Sequence, residues 1–166
     1  GEIEINLPYL GEHNVKNALA ATALAMNVGA TLTDVKAGLE QRSQVKGRLF
    51  PIQVTSNLLL LDDTYNANKD SLCAAIDVLK SYDAFRILCV GDMKELGENS
   101  LAIHREVGEH ANLANLDLVC SYGNESAVIS ETVSGKHFTD KVEMVDFLVP
   151  LIETQLQQNN KVVVLG

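Results

Sequence analysis

The chain has 166 residues, 46% hydrophobic and 21% charged, with a formal charge of −9 from 22 acidic and 13 basic residues. That length suits one ordinary domain, or one domain with a piece of another, and the acidic balance excludes the electrostatic footprint of a nucleic-acid binder. No apolar run approaches the roughly 20 residues that span a bilayer, and no basic segment followed by an apolar one opens the sequence, so a soluble, cytoplasmic protein is expected.

The first stretch, GEIEINLP, alternates like a strand with no element before it. Residues 14–28, NVKNALAATALAMNV, are rich in alanine and leucine and read as a helix closed by Gly29. Thr33 and Asp34 can start a second short helix over about 33–42. Near SQVKGRLF the composition changes, and residues 43–48 form the best hinge or domain boundary. From there strand and helix patterns alternate. Strands are expected at 49–55, 58–62, 86–91, 117–121 and 161–165, and helices at 71–81, 100–113, 124–133 and 140–158. Pro150 should kink or split the last helix. The strands are short apolar runs without alternation, the pattern of strands covered on both faces. The expected fold is therefore α/β, a Rossmann-like open, mostly parallel sheet with flanking helices, preceded by a short helical piece. The closing KVVVLG is a buried-strand pattern that stops where a turn and helix are due, so both ends read as cut from a longer protein.

Ligands of open α/β sheets bind beyond the carboxyl ends of the strands, which directs attention to three loops. In LLLLDDTYNANKDS, residues 58–71, a leucine run delivers Asp62 and Asp63 to a strand end. A carboxylate there can accept from ribose hydroxyls; alternatively the acids only terminate the strand, while Asn68 or Asp70 caps the next helix. In GDMKELGEN, residues 91–99, Asp92 and Glu95 again place acids at a strand end, and a solvated glycine turn is the plainer alternative. SYGNE at 121–125 reads as a turn. Upstream, His13 and Asn17 are four apart on one helix face with Asn14 beside them, and amide and imidazole groups can read a purine edge. Simple capping by Asn14 is the alternative. Arg48, in Lys46-Gly47-Arg48, could swing onto a phosphate or lie solvated. His104 has no evident partner, and His110 and His137 read as surface residues. Cys73, Cys89 and Cys120 lack CxxC spacing and companion histidines, which fits a reducing compartment, with Cys89 as a core residue. No G-x-x-x-x-G-K-[ST] occurs, so the chain has no P-loop to cradle a triphosphate.

Taken in order, GEHNVKNALAA, KGRLF, LLLDDTYNAN and VGDMKELGE resemble the Mur ligase family from about residue 8 onward. The resemblance implies that 1–45 is the C-terminal remnant of a central ATP-binding domain. Residues 46–166 would then be a Rossmann-like C-terminal ligase domain, truncated at its end. It implies ATP and Mg2+ as cofactors, with the P-loop and metal ligands in preceding sequence. The substrates implied are UDP-N-acetylmuramoyl-tripeptide and D-alanyl-D-alanine, joined through an acyl phosphate in peptidoglycan precursor synthesis. Site roles carried over by motif are His13, Asn14 and Asn17 around adenine, Arg48 reaching the nucleotide, and Asp63 on the ribose. Tyr65, Asn66 and Asn68 would face the incoming dipeptide or the acyl phosphate. Lys69 departs from the family, where proline commonly follows the second asparagine. Two rival readings are a folylpolyglutamate synthetase-like amide ligase and a non-catalytic α/β nucleotide-binding or interaction module.

Overall fold

The computed structural model describes residues 1–9, 11–41 and 45–166, so residues 43 and 44 of the expected hinge lie outside the described residues. The chain divides into two compact units, Gly1–Val45 and Lys46–Gly166.

The first unit is helical. Helix α1 (Glu12–Asn27) begins two residues earlier than the sequence pattern suggested, after Gly11 at φ 92°, with no side-chain cap. Asn14 therefore sits inside the first turn and does not cap the helix. The Gly29 N–H donates to the carbonyl of Met26 (3.1 Å), closing α1 where the glycine was expected to act. Helix α2 (Leu32–Leu39) is capped by Thr31, not Thr33. Thr31 Oγ1 accepts the Asp34 N–H (3.2 Å) while Asp34 Oδ2 accepts the Thr31 N–H (2.9 Å), a reciprocal capping box. The opening GEIEINLP forms no strand ladder among the described residues. It lies extended along α2, with the Asn6 N–H donating to Glu40 and Lys36 Nζ donating to the carbonyl of Glu4.

The second unit is the α/β body. Its elements are β1 (Phe50–Thr55), β2 (Leu58–Asp62), α3 (Lys69–Lys80), β3 (Phe85–Gly91), α4 (Ser100–Ala114), β4 (Leu118–Tyr122), α5 (Ala127–Thr132), β5 (Lys136–Phe138), α6 (Lys141–Gln157) and β6 (Val162–Leu165). The sheet order is β1-β2-β6-β3-β4-β5. Every pairing is parallel except the β1–β2 hairpin. β6, which follows the other strands in the chain, lies between β2 and β3.

Burial explains this order. Val162, Val163 and Leu165 of β6 and Ile87 and Leu88 of β3 are all but inaccessible, so these valine- and leucine-rich strands take the centre. β1 is exposed along almost its whole length and tolerates Pro51 because it is an edge. β5 was not foreseen: three residues, KHF, give too short and too polar a pattern to register.

One core lies under α3, α4 and α5, built from Leu72, Ile76, Leu79, Val107, Ala111 and Ile129 against β3 and β6. A second, under α6, joins Ile87, Cys120, Phe138, Leu148 and Val162. Asp140 caps α6 by accepting the Val142 N–H (2.6 Å). Of the kink or split expected at Pro150, the split does not occur: the helix continues through it as a single element. Pro150 is exposed, and Thr154 Oγ1 donates to its carbonyl (2.8 Å).

Gly108 of α4 is buried where α4 meets α5. A Cβ there would stand 2.9 Å from Thr132 Cβ and 3.2 Å from Ile129 Cα. In an open helix Gly→Ala stabilises by roughly 0.5–1 kcal/mol. At this crossing overpacking should reverse the sign, and Gly108→Ala is expected to cost about 1–3 kcal/mol. Urea unfolding of the two chains measures it.

Candidate functional site

The carboxyl ends of β2, β6, β3 and β4 open onto a mostly apolar cavity of about 560 Å³, a size suited to a small ligand. Asp63, Tyr65 and Asn66 form one wall, Met93 and Lys94 another, and Tyr122, Lys141 and Met144 a third.

The first wall is built by the two aspartates. Asp62 Oδ2 accepts the Gly47 N–H (3.2 Å) and Asp63 Oδ1 accepts the Leu49 N–H (2.9 Å). Asp62 Oδ1 also takes the Thr64 hydroxyl (2.6 Å) and N–H (3.2 Å). The Thr64 hydroxyl, against the cost of burial and helped by the N–H groups of Thr64 and Gly47, holds the Asp62 carboxyl below its usual range. The Tyr65 N–H in turn donates to the carbonyl of Gly47 (3.0 Å). Gly47 has φ 77°, and a Cβ there would fall 2.9 Å from Tyr65, so only glycine fits this turn. Consequently Arg48 is held beside the cavity's rim, its guanidinium 4.7 Å from the centre of the Tyr65 ring.

The second wall is fixed from two sides. Asp92 accepts backbone N–H groups from Asn124 (3.0 Å), Glu125 (3.0 Å) and Ser126 (2.9 Å). Burial disfavours its charge, but the N–H groups of Asn124, Ser126 and Glu125 prevail and bring its pKa to about 2. Met93, 2% exposed, donates its N–H to Nε2 of the fully buried His104 (2.9 Å). His104 Nδ1 faces the carbonyl of Ser100 (2.8 Å), so the ring proton resides on Nδ1. Ser100 Oγ reaches on to Glu125.

Asp63, Tyr65 and Asn66 thus meet at the cavity, with Arg48 stacked on Tyr65. Asn68 is not among the residues that line it; its Oδ1 accepts the Ser71 N–H (2.9 Å) and caps α3, the capping read from the sequence. His13, Asn14 and Asn17 lie in the helical unit. There His13 Nε2 is 3.1 Å from Asn14 Nδ2, and Asn17 Nδ2 is 3.5 Å from Asn14 Oδ1. His104, left without a partner by the sequence, is a central fastening. The one local signal for it was its i, i+4 spacing from Ser100. His137 is half-buried, bonded to Ser121 Oγ (2.8 Å), and His110 pairs with Asp77 (2.9 Å). Cys89 lines the cavity, but burial, with Cys120 nearby, pushes its thiol up to about 12, so it is not poised as a nucleophile. Among the described residues no three His, Cys, Asp or Glu side chains converge as metal ligands. No helix among them is long and apolar enough to cross a membrane.

A mostly parallel sheet with a cavity across its strand ends defines an α/β ligand-binding domain of Rossmann-like plan. The family described as Mur ligase, glutamate ligase domain, matches residues 47–166, and the chain belongs to that family. It is 93% identical, over all of its length, to 36% of the UDP-N-acetylmuramoyl-tripeptide–D-alanyl-D-alanine ligase of Haemophilus influenzae. A crystal structure of MurF from Acinetobacter baumannii superposes with a TM-score of 0.89 at 37% identity, covering 97% of this chain and 35% of that one. MurF ligase from Thermotoga maritima, solved in complex with ADP, gives 0.75 at 26% identity, covering 95% and 35%. The chain therefore spans about a third of the relatives it matches.

The Asp92 clamp has a pH signature. Its folded pKa lies below the ordinary carboxylate value of about 3.9, so the clamp stabilises fully above about pH 4 and is lost as the pH falls towards 2. Asp92→Ala should lower stability at pH 7 by about 1–3 kcal/mol by orphaning the turn's N–H groups. The gap between the two proteins should narrow on acidification from pH 4 to pH 2.5 in urea titrations.

Proposed function

We propose that this chain is the C-terminal part of an ATP-dependent ligase that joins D-alanyl-D-alanine to UDP-N-acetylmuramoyl-tripeptide in peptidoglycan precursor synthesis. The observation that carries the reading is the 93% identity, across the whole chain, with a ligase of that name. On this reading residues 1–45 belong to the central ATP-binding domain and 46–166 to the C-terminal ligase domain. α1 supports a larger first domain: it leaves Leu19, Leu24 and Val28 more than half exposed, an apolar surface suited to further packing.

The residues present fit part of a nucleotide. His13, Asn14 and Asn17 offer a linked row of imidazole and amide groups for adenine. Arg48 offers five N–H donors to phosphate, held in place by the Tyr65 ring. Asp63 lines the cavity, and its Oδ1 accepts the Leu49 N–H. The anchor thus orients a group that can also accept from ribose hydroxyls. The sequence has no P-loop, so the triphosphate and Mg2+ are assigned to preceding parts of the full protein. ATP, when bound, supplies the phosphoryl group that activates the tripeptide carboxylate. Tyr65 and Asn66 then line the space for the incoming amine, and the apolar cavity excludes water from the activated group.

The full-length parent should form amide and release phosphate in equal amounts when given ATP, the tripeptide and D-alanyl-D-alanine, while residues 1–166 alone should show no turnover. Asp63→Asn keeps an acceptor for Leu49 but removes the charge. In the parent it should lower kcat/KM for ATP by about 10-fold, about 1.4 kcal/mol. Unchanged kinetics would remove Asp63 from the ribose.

A further inference from the structure

Lys141, in the first turn of α6, lines the cavity on the side away from Asp63. No carboxylate pairs with it among the described residues. The other lysine of the cavity, Lys94, has Asp92 Oδ2 at 3.8 Å. Lys141 Nζ instead stands 5.1 Å from the centre of the Tyr122 ring, which places the charge over an aromatic face and leaves its N–H donors to a ligand. We infer that Lys141 receives the carboxylate of the incoming dipeptide, an inference that rests on the ligase reading above.

The dimensions agree. From β2, which ends one residue before Asp63, to β4, which carries Tyr122, the sheet order gives three strand spacings, about 14 Å in all. An extended dipeptide spans about 7 Å of this, which leaves the remainder to the side chains at either end. A zwitterionic dipeptide with its carboxylate on Lys141 therefore directs its amine towards the Asp63–Asn66 wall, where the activated acyl group is expected. Its methyl groups then lie against Met93, Val90 and Met144, which line the cavity between the two ends. A single amino acid falls about 3.5 Å short of that span. The cation and the loop after β2 thus measure the acceptor's length.

The test compares D-alanyl-D-alanine with its C-terminal amide as acceptors for the full-length parent and for its Lys141→Met and Lys141→Arg variants. The parent should prefer the free acid by 10-fold or more in kcat/KM. Lys141→Met should bring that preference close to one, chiefly through KM for the acid, and Lys141→Arg should restore much of it. An undiminished preference in Lys141→Met overturns the inference, whatever the variant's stability. A parallel loss with acid and amide, or a raised KM for ATP alone, overturns it in favour of a phosphate as the bound anion. A parent that ligates neither acceptor fails the ligase reading itself, and the inference with it.

Discussion

Two adjacent carboxylates at the end of β2 hold the turn before β1. Asp62 takes the N–H of Gly47 and Asp63 that of Leu49. Both bonds join charged acceptors to backbone donors, the stronger class of hydrogen bond. They close the β1–β2 hairpin at the end opposite its Ser56–Asn57 turn. The rest of the first wall depends on them: Gly47 can approach Tyr65 because the turn is pinned, and Arg48 can stack on Tyr65 because Gly47 does. The acids that end the leucine run therefore hold the turn, and Asp63 lines the cavity in the same geometry.

The wall after β3 follows the same logic with different chemistry. Asp92 gathers three N–H groups from the turn before α5, and His104 accepts the N–H of the next residue from α4. A loop rich in polar residues is thereby fixed to two helices of the same face. Such a loop holds its shape before any ligand arrives, and preorganisation of this kind lowers the entropic cost of binding. The third wall, around Tyr122 and Lys141, is held by the Asp140 cap of α6 and by the Ser126 hydroxyl, which donates to the Tyr122 carbonyl.

Much of the fold was legible because its elements are long relative to their signals. β2 has the bounds that its leucines suggested, and α4 differs by one residue. β5 was not legible, since three residues cannot establish a period. Thr31 was passed over for Thr33 because both are acceptable caps, and only the reciprocal bond with Asp34 distinguishes them. Asp63, Tyr65 and Asn66 were readable as one strand-end loop, and the cavity does lie there. The uses of Asp92 and His104 were not readable. Their partners lie more than 30 and 11 residues away, and pairwise geometry of that range leaves no periodic trace. Asn68 was readable as a cap because it stands immediately before the helical pattern, and its Oδ1 does hold the Ser71 N–H.

The position of β6 has a consequence for how the chain is made. β2 and β3 never touch directly; each bonds to β6, whose four residues are synthesised after the other five strands. Until they emerge from the ribosome, the β1–β2 ribbon and the β3–β4–β5 ribbon each present an open edge of leucine- and isoleucine-rich backbone. Such edges recruit other strands readily. The nascent domain is thus most exposed to mispairing just before β6 arrives, and shielding by a chaperone matters most in that interval.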